Sequence, residues 1–335
     1  MFNVKDLQDL SGKILLVTGA TGLIGSNIIK YLLQHKEVEC KIIALVRNAD
    51  KAEKIFRDDV DKIELIIGDV TDKECINNIN QQIDYIIHAA SFTSSKQFVE
   101  NPVEVIDTSI NGTVNLLELA KKNNVNGFVY TSSMEVYGTP SDDEKISESH
   151  STNIDTMETR ASYPESKRMC EAICRAYFSE YGVQAKIARL TQTFGEGVSY
   201  NDGRVFAEFA RCTIEKRDIV LHTKGQTKRN YLYTSDAVNA ILAILLKGQA
   251  GEAYNVANED TYCTIYDMAE MVAKECADNE IKVVVETTDD IEKFGYAKTL
   301  HMNLDCSKLR GLGWEAQVGI EEMFERLIKY MKENR

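Results

Sequence analysis

Proline is nearly absent, with three residues in 335. No proline-rich linker therefore marks a domain boundary. Tryptophan occurs once, and aromatic residues make up 8% of the chain. No apolar run approaches the ~20 residues that a membrane-crossing helix requires, so no membrane partner is expected. The opening stretch MFNVKDLQDLSGK carries Asp6 and Asp9 and lacks an apolar signal core. A cytoplasmic location is the expectation. Positive charge is also in deficit: 39 Lys+Arg face 52 Asp+Glu, a net −13. That balance argues against nonspecific nucleic-acid binding. It leaves room for a local basic pocket and a small anionic ligand. The eight cysteines contain no CxxC pair. Cys170 and Cys174 lie one helical turn apart with no nearby Cys/His pair to complete a metal site. Reduced thiols and no bound metal are expected.

Short apolar runs alternating with amphipathic stretches are what the chain does have. Ile14–Val17, Ile42–Val46, Leu65–Ile67, Tyr85–Ile87, Phe128–Tyr130 and Ala185–Leu190 read as buried strands. Helical patterns fall at Leu23–Leu33, Lys73–Asn80, Val103–Lys121 and Tyr163–Tyr181. Buried strands alternating with helices imply a parallel sheet covered on both faces, the doubly wound Rossmann-type α/β fold. The segment Thr139–Arg160 is polar, acidic and aperiodic, and reads as a loop beside an active site. Beyond Phe194 the pattern loosens. Arg204–Ile214, Ser235–Leu246, Ile265–Cys276 and Ile320–Met331 look helical, and Ile219–His222, Tyr231–Tyr233 and Ile281–Val285 look like strands. The expected division is a dinucleotide-binding domain over 1–191 and a smaller C-terminal α/β substrate lobe over 192–335, with the lobes free to interleave.

The first strand runs into Thr18-Gly19-Ala20-Thr21-Gly22-Leu23-Ile24-Gly25, a GxxGxxG pattern opening a helix. Backbone can turn tightly there and approach a pyrophosphate, and the helix N-terminus offers free N–H groups and its positive dipole end. The strand before it and the amphipathic helix after it supply the context that a glycine triplet alone lacks. An acid at the end of the second strand would bind the ribose 2′-hydroxyl of NAD(H). The chain instead has Ala44-Leu45-Val46-Arg47-Asn48. Arg47 could pair a 2′-phosphate, so NADP(H) is expected, with NAD(H) as the alternative.

Together with further motifs, this pattern resembles the extended short-chain dehydrogenase/reductase family of nucleotide-sugar epimerases, dehydratases, decarboxylases and reductases. Gly19, Gly22 and Gly25 match its glycine motif, with Thr21, Leu23 and Ile24 in the same turn. Asp69-Val70 resembles the family's adenine-contacting pair, and His88-Ala89-Ala90 the end of its fourth strand. Asn111-Gly112-Thr113 resembles its long helix, which implies a proton-relay role for Asn111. Thr131 through Gly138 (TSSMEVYG) and Tyr163-Pro164-Glu165-Ser166-Lys167 match its fifth-strand and YxxxK motifs. RNYLYTSD (229–236), Tyr254-Asn255-Val256 and DCSKLRGLGW (305–314) resemble later landmarks. The resemblance spans essentially the whole chain. It implies cofactor contacts from Ala89, Ala90 and Thr131 as well. It also implies a homodimer built on the helices around 103–121 and 163–181.

Tyr163 and Lys167 stand four apart on a helix, hence on one face. An ammonium and an oxidised nicotinamide beside a phenol favour the phenolate. Tyr163 could then take a proton from a sugar hydroxyl, or return one to a carbonyl, while hydride moves. Ser133 would hold the same oxygen.

The resemblance leaves four reactions open. Glu135 falls where dehydratases and decarboxylases carry an active-site glutamate. Met134 falls where sugar 4,6-dehydratases carry an aspartate and decarboxylases often a small hydroxyl residue, and a thioether delivers no proton, which counts against both. Gln192 stands in for the family's substrate-contacting asparagine, and its extra methylene would suit a smaller or open-chain substrate. Arg229 matches an arginine that faces a diphosphate or a carboxylate, and Arg204 and Tyr233 are further candidate substrate contacts. Arg47, Met134 and Gln192 together favour NADPH-dependent reduction of a nucleotide-linked keto sugar. A 4-epimerase that retains its cofactor comes second, a dehydratase or decarboxylase using Glu135 third, and a non-catalytic dinucleotide-binding scaffold stands as the other class.

Overall fold

A computed structural model of the chain describes residues 3–287 and 299–335. Its strands are β1 (Ile14–Thr18), β2 (Lys41–Val46), β3 (Ile63–Ile67), β4 (Tyr85–His88), β5 (Gly127–Ser133), β6 (Ala185–Leu190), β7 (Gln192–Phe194), β8 (Ile219–Leu221), β9 (Lys228–Tyr233), β10 (Ala253–Val256), β11 (Asn258–Thr264), β12 (Val283–Val285) and β13 (His301–Met302). Its α-helices are α1 (Leu23–Gln34), α2 (Ala49–Phe56), α3 (Lys73–Asn77), α4 (Ser95–Glu100), α5 (Pro102–Asn123), α6 (Ser162–Tyr181), α7 (Val205–Glu215), α8 (Thr234–Lys247), α9 (Ile265–Met271), α10 (Ser307–Arg310) and α11 (Ile320–Glu333).

A seven-stranded sheet runs in the order β10-β6-β5-β4-β1-β2-β3. Every neighbouring pair in it is parallel. Strands such as β1 (ILLVT) and β4 (YIIH) are apolar on both sides because helices cover both faces. One face packs Leu15, Ile42 and Val129 against α1 and α8, with Leu7 and Leu10 of the N-terminal turn beneath. The other packs Leu16, Ile43 and Phe128 against Leu116 and Leu117 of α5 and Cys170 and Cys174 of α6. The order reverses between β1 and β4, and sheets of this kind open a crevice at that switch point.

Proline at its first position starts α5, and left-handed Asn124 ends it. Gly182, at φ 72°, stops α6. The chain leaves the sheet after Leu190 and builds a second core around Phe194, Phe206, Phe209, Tyr231 and Phe324. It returns to place β10 beside β6, then leaves again through β11.

Several elements differ from the sequence expectations. Helix α2, with Asn48 as its cap, fills a stretch to which no element is assigned from sequence. The pattern over 265–276 is not one α-helix, since it passes into a π-turn at Val272–Cys276. All eight cysteines are free thiols. Among the described residues, no helix is long and apolar enough to cross a membrane.

Candidate active site

A cleft of about 530 Å³ crosses the carboxyl ends of the strands. At its centre β1 delivers the chain into Gly19, whose φ is +63°. A Cβ on Gly19 would strike the Ala89 backbone, and one on Gly25 would strike Gly19. Both glycines therefore let three backbone segments close on one another. Helix α1 then starts at Gly22 with no side-chain cap. Its first residues, Leu23, Ile24 and Gly25, line the cleft, and the first N–H groups of a helix have no partner within it. An uncapped helix start on a cleft is a seat for an anion such as a pyrophosphate.

Thr21, Arg47, Asp69, Val70, Ala89, Ala90 and Thr131 line the same cleft. Arg47 is 69% exposed and stands 3.8 Å from Asp69. The Asp69 carboxylate also accepts from the Thr71 N–H at 2.9 Å and its hydroxyl at 2.8 Å. Lys51 of α2 adds a second cation at this end.

His88 ties the centre together. It is fully buried, 2.8 Å from the Thr18 hydroxyl at Nδ1 and 3.2 Å from that of Thr113 at Nε2. The Thr113 hydroxyl donates to the Ser109 carbonyl, so Nε2 carries the proton and Nδ1 accepts from Thr18. Burial, then the Lys167 charge, pushes His88 down to about 3, and it stays neutral.

Ser133, Glu135, Tyr163 and Lys167 come together at the β5–β6 end. Tyr163 is 8% exposed, and its ring stacks on Phe98 at 4.1 Å and 8°. Lys167 is 2% exposed, donates to the Thr131 carbonyl at 2.8 Å and lies 5.7 Å from the Tyr163 ring centre. The Ser133 hydroxyl accepts from the Glu135 N–H at 3.2 Å, and its hydrogen bond to Tyr163 favours the phenolate. Burial lowers Lys167 to about 8. Burial, followed by the Glu135 charge, raises Tyr163 above its ordinary value, while Ser133, Arg160 and Arg204 pull it down. Without cofactor the phenol is thus held protonated, against the lowering expected from a neighbouring ammonium alone.

Glu135 does not face open solvent. Its two oxygens accept from Arg160 at 2.8 and 3.0 Å. Met134 is 5% exposed and packs with Val136 and Leu304, and its sulfur lies 3.3 Å from the Thr191 hydroxyl, which donates to the Asn230 carbonyl at 2.6 Å. Gln192 and Arg204 line the cleft, and Arg204 is gripped by Asp202 at 2.7 Å.

Three expected residues lie elsewhere. Asn111 is exposed on the outer side of α5, bonded to Asp107. That position offers no route for a proton relay. Arg229 sits in β9 between β11 and β13 and does not line the cleft. Tyr233 is 2% exposed in the aromatic core of the second lobe. The alternation of a strand sets which residues share a face but not which face borders the cleft. Sequence reasoning missed Lys51, Phe92, Phe98, Thr108 and Arg160. Only Arg160 carried a signal, as a cation three residues before Tyr163.

A glycine cradle at a switch point and a Ser–Tyr–Lys group at the adjoining strand ends define an enzyme of the short-chain dehydrogenase/reductase type. The sequence model of the NAD dependent epimerase/dehydratase family matches residues 15–257, and the chain belongs to that family. It is 31% identical over 316 residues to UDP-glucuronic acid decarboxylase 6 of Arabidopsis thaliana, covering 92% of this chain and 85% of the relative. It is 29% identical over 328 residues to UDP-glucuronic acid decarboxylase 1 of Danio rerio, covering 98% and 74%. Among solved structures it is similar to UDP-glucose 4-epimerase of Thermotoga maritima, with a TM-score of 0.82, 21% identity and 96% and 99% of the two chains covered. The dTDP-glucose 4,6-dehydratase of Bacillus anthracis gives 0.80, 22%, 96% and 97%.

Proposed function

We propose that the protein oxidises a nucleotide-diphosphate-linked hexuronic acid at C4, releases its carboxyl group as carbon dioxide, and reduces C4 again. The observation that carries this reading is the similarity to UDP-glucuronic acid decarboxylases over 92–98% of the chain, while the buried thioether of Met134 beside Glu135 sets aside the dehydratase. Loss of water from a sugar requires an acid at the leaving oxygen, and Met134 supplies none. Loss of carbon dioxide requires only a ketone β to the carboxylate, with a donor at its oxygen.

Bound here, NAD+ would supply the acceptor for the C4 hydride, and the NADH so formed would be the donor for its return. The uncapped start of α1, with Gly19, Gly22 and Gly25, fits its pyrophosphate. The family's description supports NAD(H). Arg47 and Lys51 keep NADP(H) as a second reading. In the reaction, Tyr163 takes the O4 proton and Ser133 holds O4. Lys167, fixed by the Thr131 carbonyl, stabilises the phenolate. The C5–C6 bond then breaks, carbon dioxide leaves, and the electron pair moves through C4–C5 to O4, which Tyr163 and Ser133 receive. A proton from solvent then adds to C5, giving a 4-ketopentose with one carbon fewer, and return of hydride to C4 with a proton from Tyr163 to O4 completes the pentose. The reductase favoured by sequence reading finds no support among these relatives, whereas a 4-epimerase would also need no acid at position 134. We also propose a homodimer. Val103, 78% exposed on α5, and Met169, 51% exposed on α6, support it as an apolar face shared by neighbouring helices.

The test is UDP-glucuronic acid labelled at its carboxyl carbon, with NAD+ added. Labelled carbon dioxide without net NADH is expected. Retention of the label with a C4 epimer would replace the reading with epimerisation. Net oxidation of added NADPH by a keto sugar would restore the reductase. Mass spectrometry of any dinucleotide released on denaturation decides between NAD and NADP.

A further inference from the structure

The 3-10 turn Thr159–Ala161 leads directly into α6. It places Arg160 against Glu135, which follows β5 across 25 residues of chain. The contact uses both guanidinium nitrogens and both carboxylate oxygens, at 2.8 and 3.0 Å, the planar fork that most restricts a carboxylate. The two side chains are 26% and 24% exposed, so solvent screens them only in part. The guanidinium also lies 5.6 Å from the centre of the Phe98 ring, which stacks on Tyr163. The Phe98 carbonyl in turn receives the Ser162 hydroxyl at 3.0 Å. Glu135, Arg160, Phe98 and Tyr163 thus form one packed unit.

We propose that Arg160 is a positioning residue that fixes Glu135 beside Tyr163 and cancels the field of its carboxylate at the phenol. The charged and titratable groups around Tyr163 are Glu135 after β5, Arg160 before α6, Arg204 before α7, Lys167 on α6 and Tyr130 on β5. The Glu135 carboxylate opposes the phenolate, whereas Arg160 favours it. Removing the guanidinium leaves that carboxylate uncompensated and free to turn. Both oxygens of Glu135 accept hydrogen bonds from Arg160. The proposal rests on Tyr163 as the proton-transfer group but not on the step that follows oxidation.

The experiment is the pH dependence of hydride transfer in the cofactor-loaded enzyme, followed at 340 nm in a single turnover. In Arg160→Gln the limb set by the phenol is expected to move up by roughly one pH unit, a usual shift for one uncompensated neighbouring charge. Arg160→Lys, which keeps the charge, is expected to hold the limb near its original position. Adding Glu135→Gln to Arg160→Gln is expected to bring it back. If Arg160→Gln does not fold, Glu135→Gln alone leaves Arg160 unopposed and is expected to lower the limb. A limb that stays fixed in folded Arg160→Gln overturns the proposal. Hydride transfer that survives Tyr163→Phe overturns the underlying assignment instead, so the two failures are distinct.

Discussion

Glu171 on α6 is the point where the catalytic strand is fastened from behind. It is 9% exposed and receives the Ser132 hydroxyl at 2.6 Å. Arg189 of β6 grips it through Nε at 3.0 Å and Nη2 at 2.6 Å. Arg189 also donates to the Tyr137 hydroxyl at 2.9 Å and the Glu148 carbonyl at 2.8 Å. The ion-paired side chains are only 14% and 10% exposed, so water cannot replace a lost partner. Glu171→Leu strands a buried guanidinium, which costs about 3–5 kcal/mol. Against a total stability of roughly 5–15 kcal/mol, that is about a fifth or more. At about 2–4 °C per kcal/mol for a chain of this order, the midpoint should fall by about 6–20 °C. Circular dichroism during thermal unfolding of the cofactor-free protein measures it. The double variant Glu171→Leu/Arg189→Met removes both charges and should be more stable than the single variant, because no unpaired charge remains. If the single variant melts within 2 °C of the parent, or the double is the weaker of the two, the pair does not hold the strand as reasoned.

Two further outcomes can be checked. Burial lowers Lys167 to about 8, against ~10.4 in an unfolded chain. Below that window both states hold the proton. Within it only the unfolded chain does, so stability rises with pH, by up to about 3 kcal/mol. Denaturant unfolding of the cofactor-free protein from pH 7.5 to 10.5 should show it gaining on Lys167→Met, and a pH-independent difference would refute the buried amine. Separately, sedimentation should find a dimer at micromolar concentration and a monomer in Val103→Asp. A parent chain that sediments as a monomer at that concentration ends the homodimer proposal.

The parallel strands were legible because burial on both faces makes them continuous apolar runs. β10, noted only as the landmark Tyr254-Asn255-Val256, was not read as a strand because its sequence, AYNV, contains Asn255. That asparagine is fully buried, with its amide donating to the Ile146 and Asp305 carbonyls and its oxygen receiving the Tyr137 hydroxyl. A polar residue satisfied by distant partners looks exposed in a sequence. The Ser133–Tyr163–Lys167 group was legible from helical spacing and motif order. The Glu135–Arg160 fork was not, since its halves flank an aperiodic loop. Asn111 was misplaced because the buried face of α5 runs through Ser109, Gly112, Thr113 and Leu116, leaving position 111 outside it.

The return of the chain to set β10 beside β6 has a consequence for synthesis and for engineering. When residue 190 has been made, the growing sheet already holds six of its seven strands, but one flank of β6 is bare. It stays bare until residues 191–252 have been added and β10 arrives. A bare edge recruits other chains, so the region after Leu190 shapes how long the nascent protein is vulnerable to aggregation. The second core is accordingly stitched to the first at more than one seam, among them one after β6 and one after β10. Exchanging it with a relative's would mean matching each seam, because a single cut at 191 separates the sheet from its own last strand.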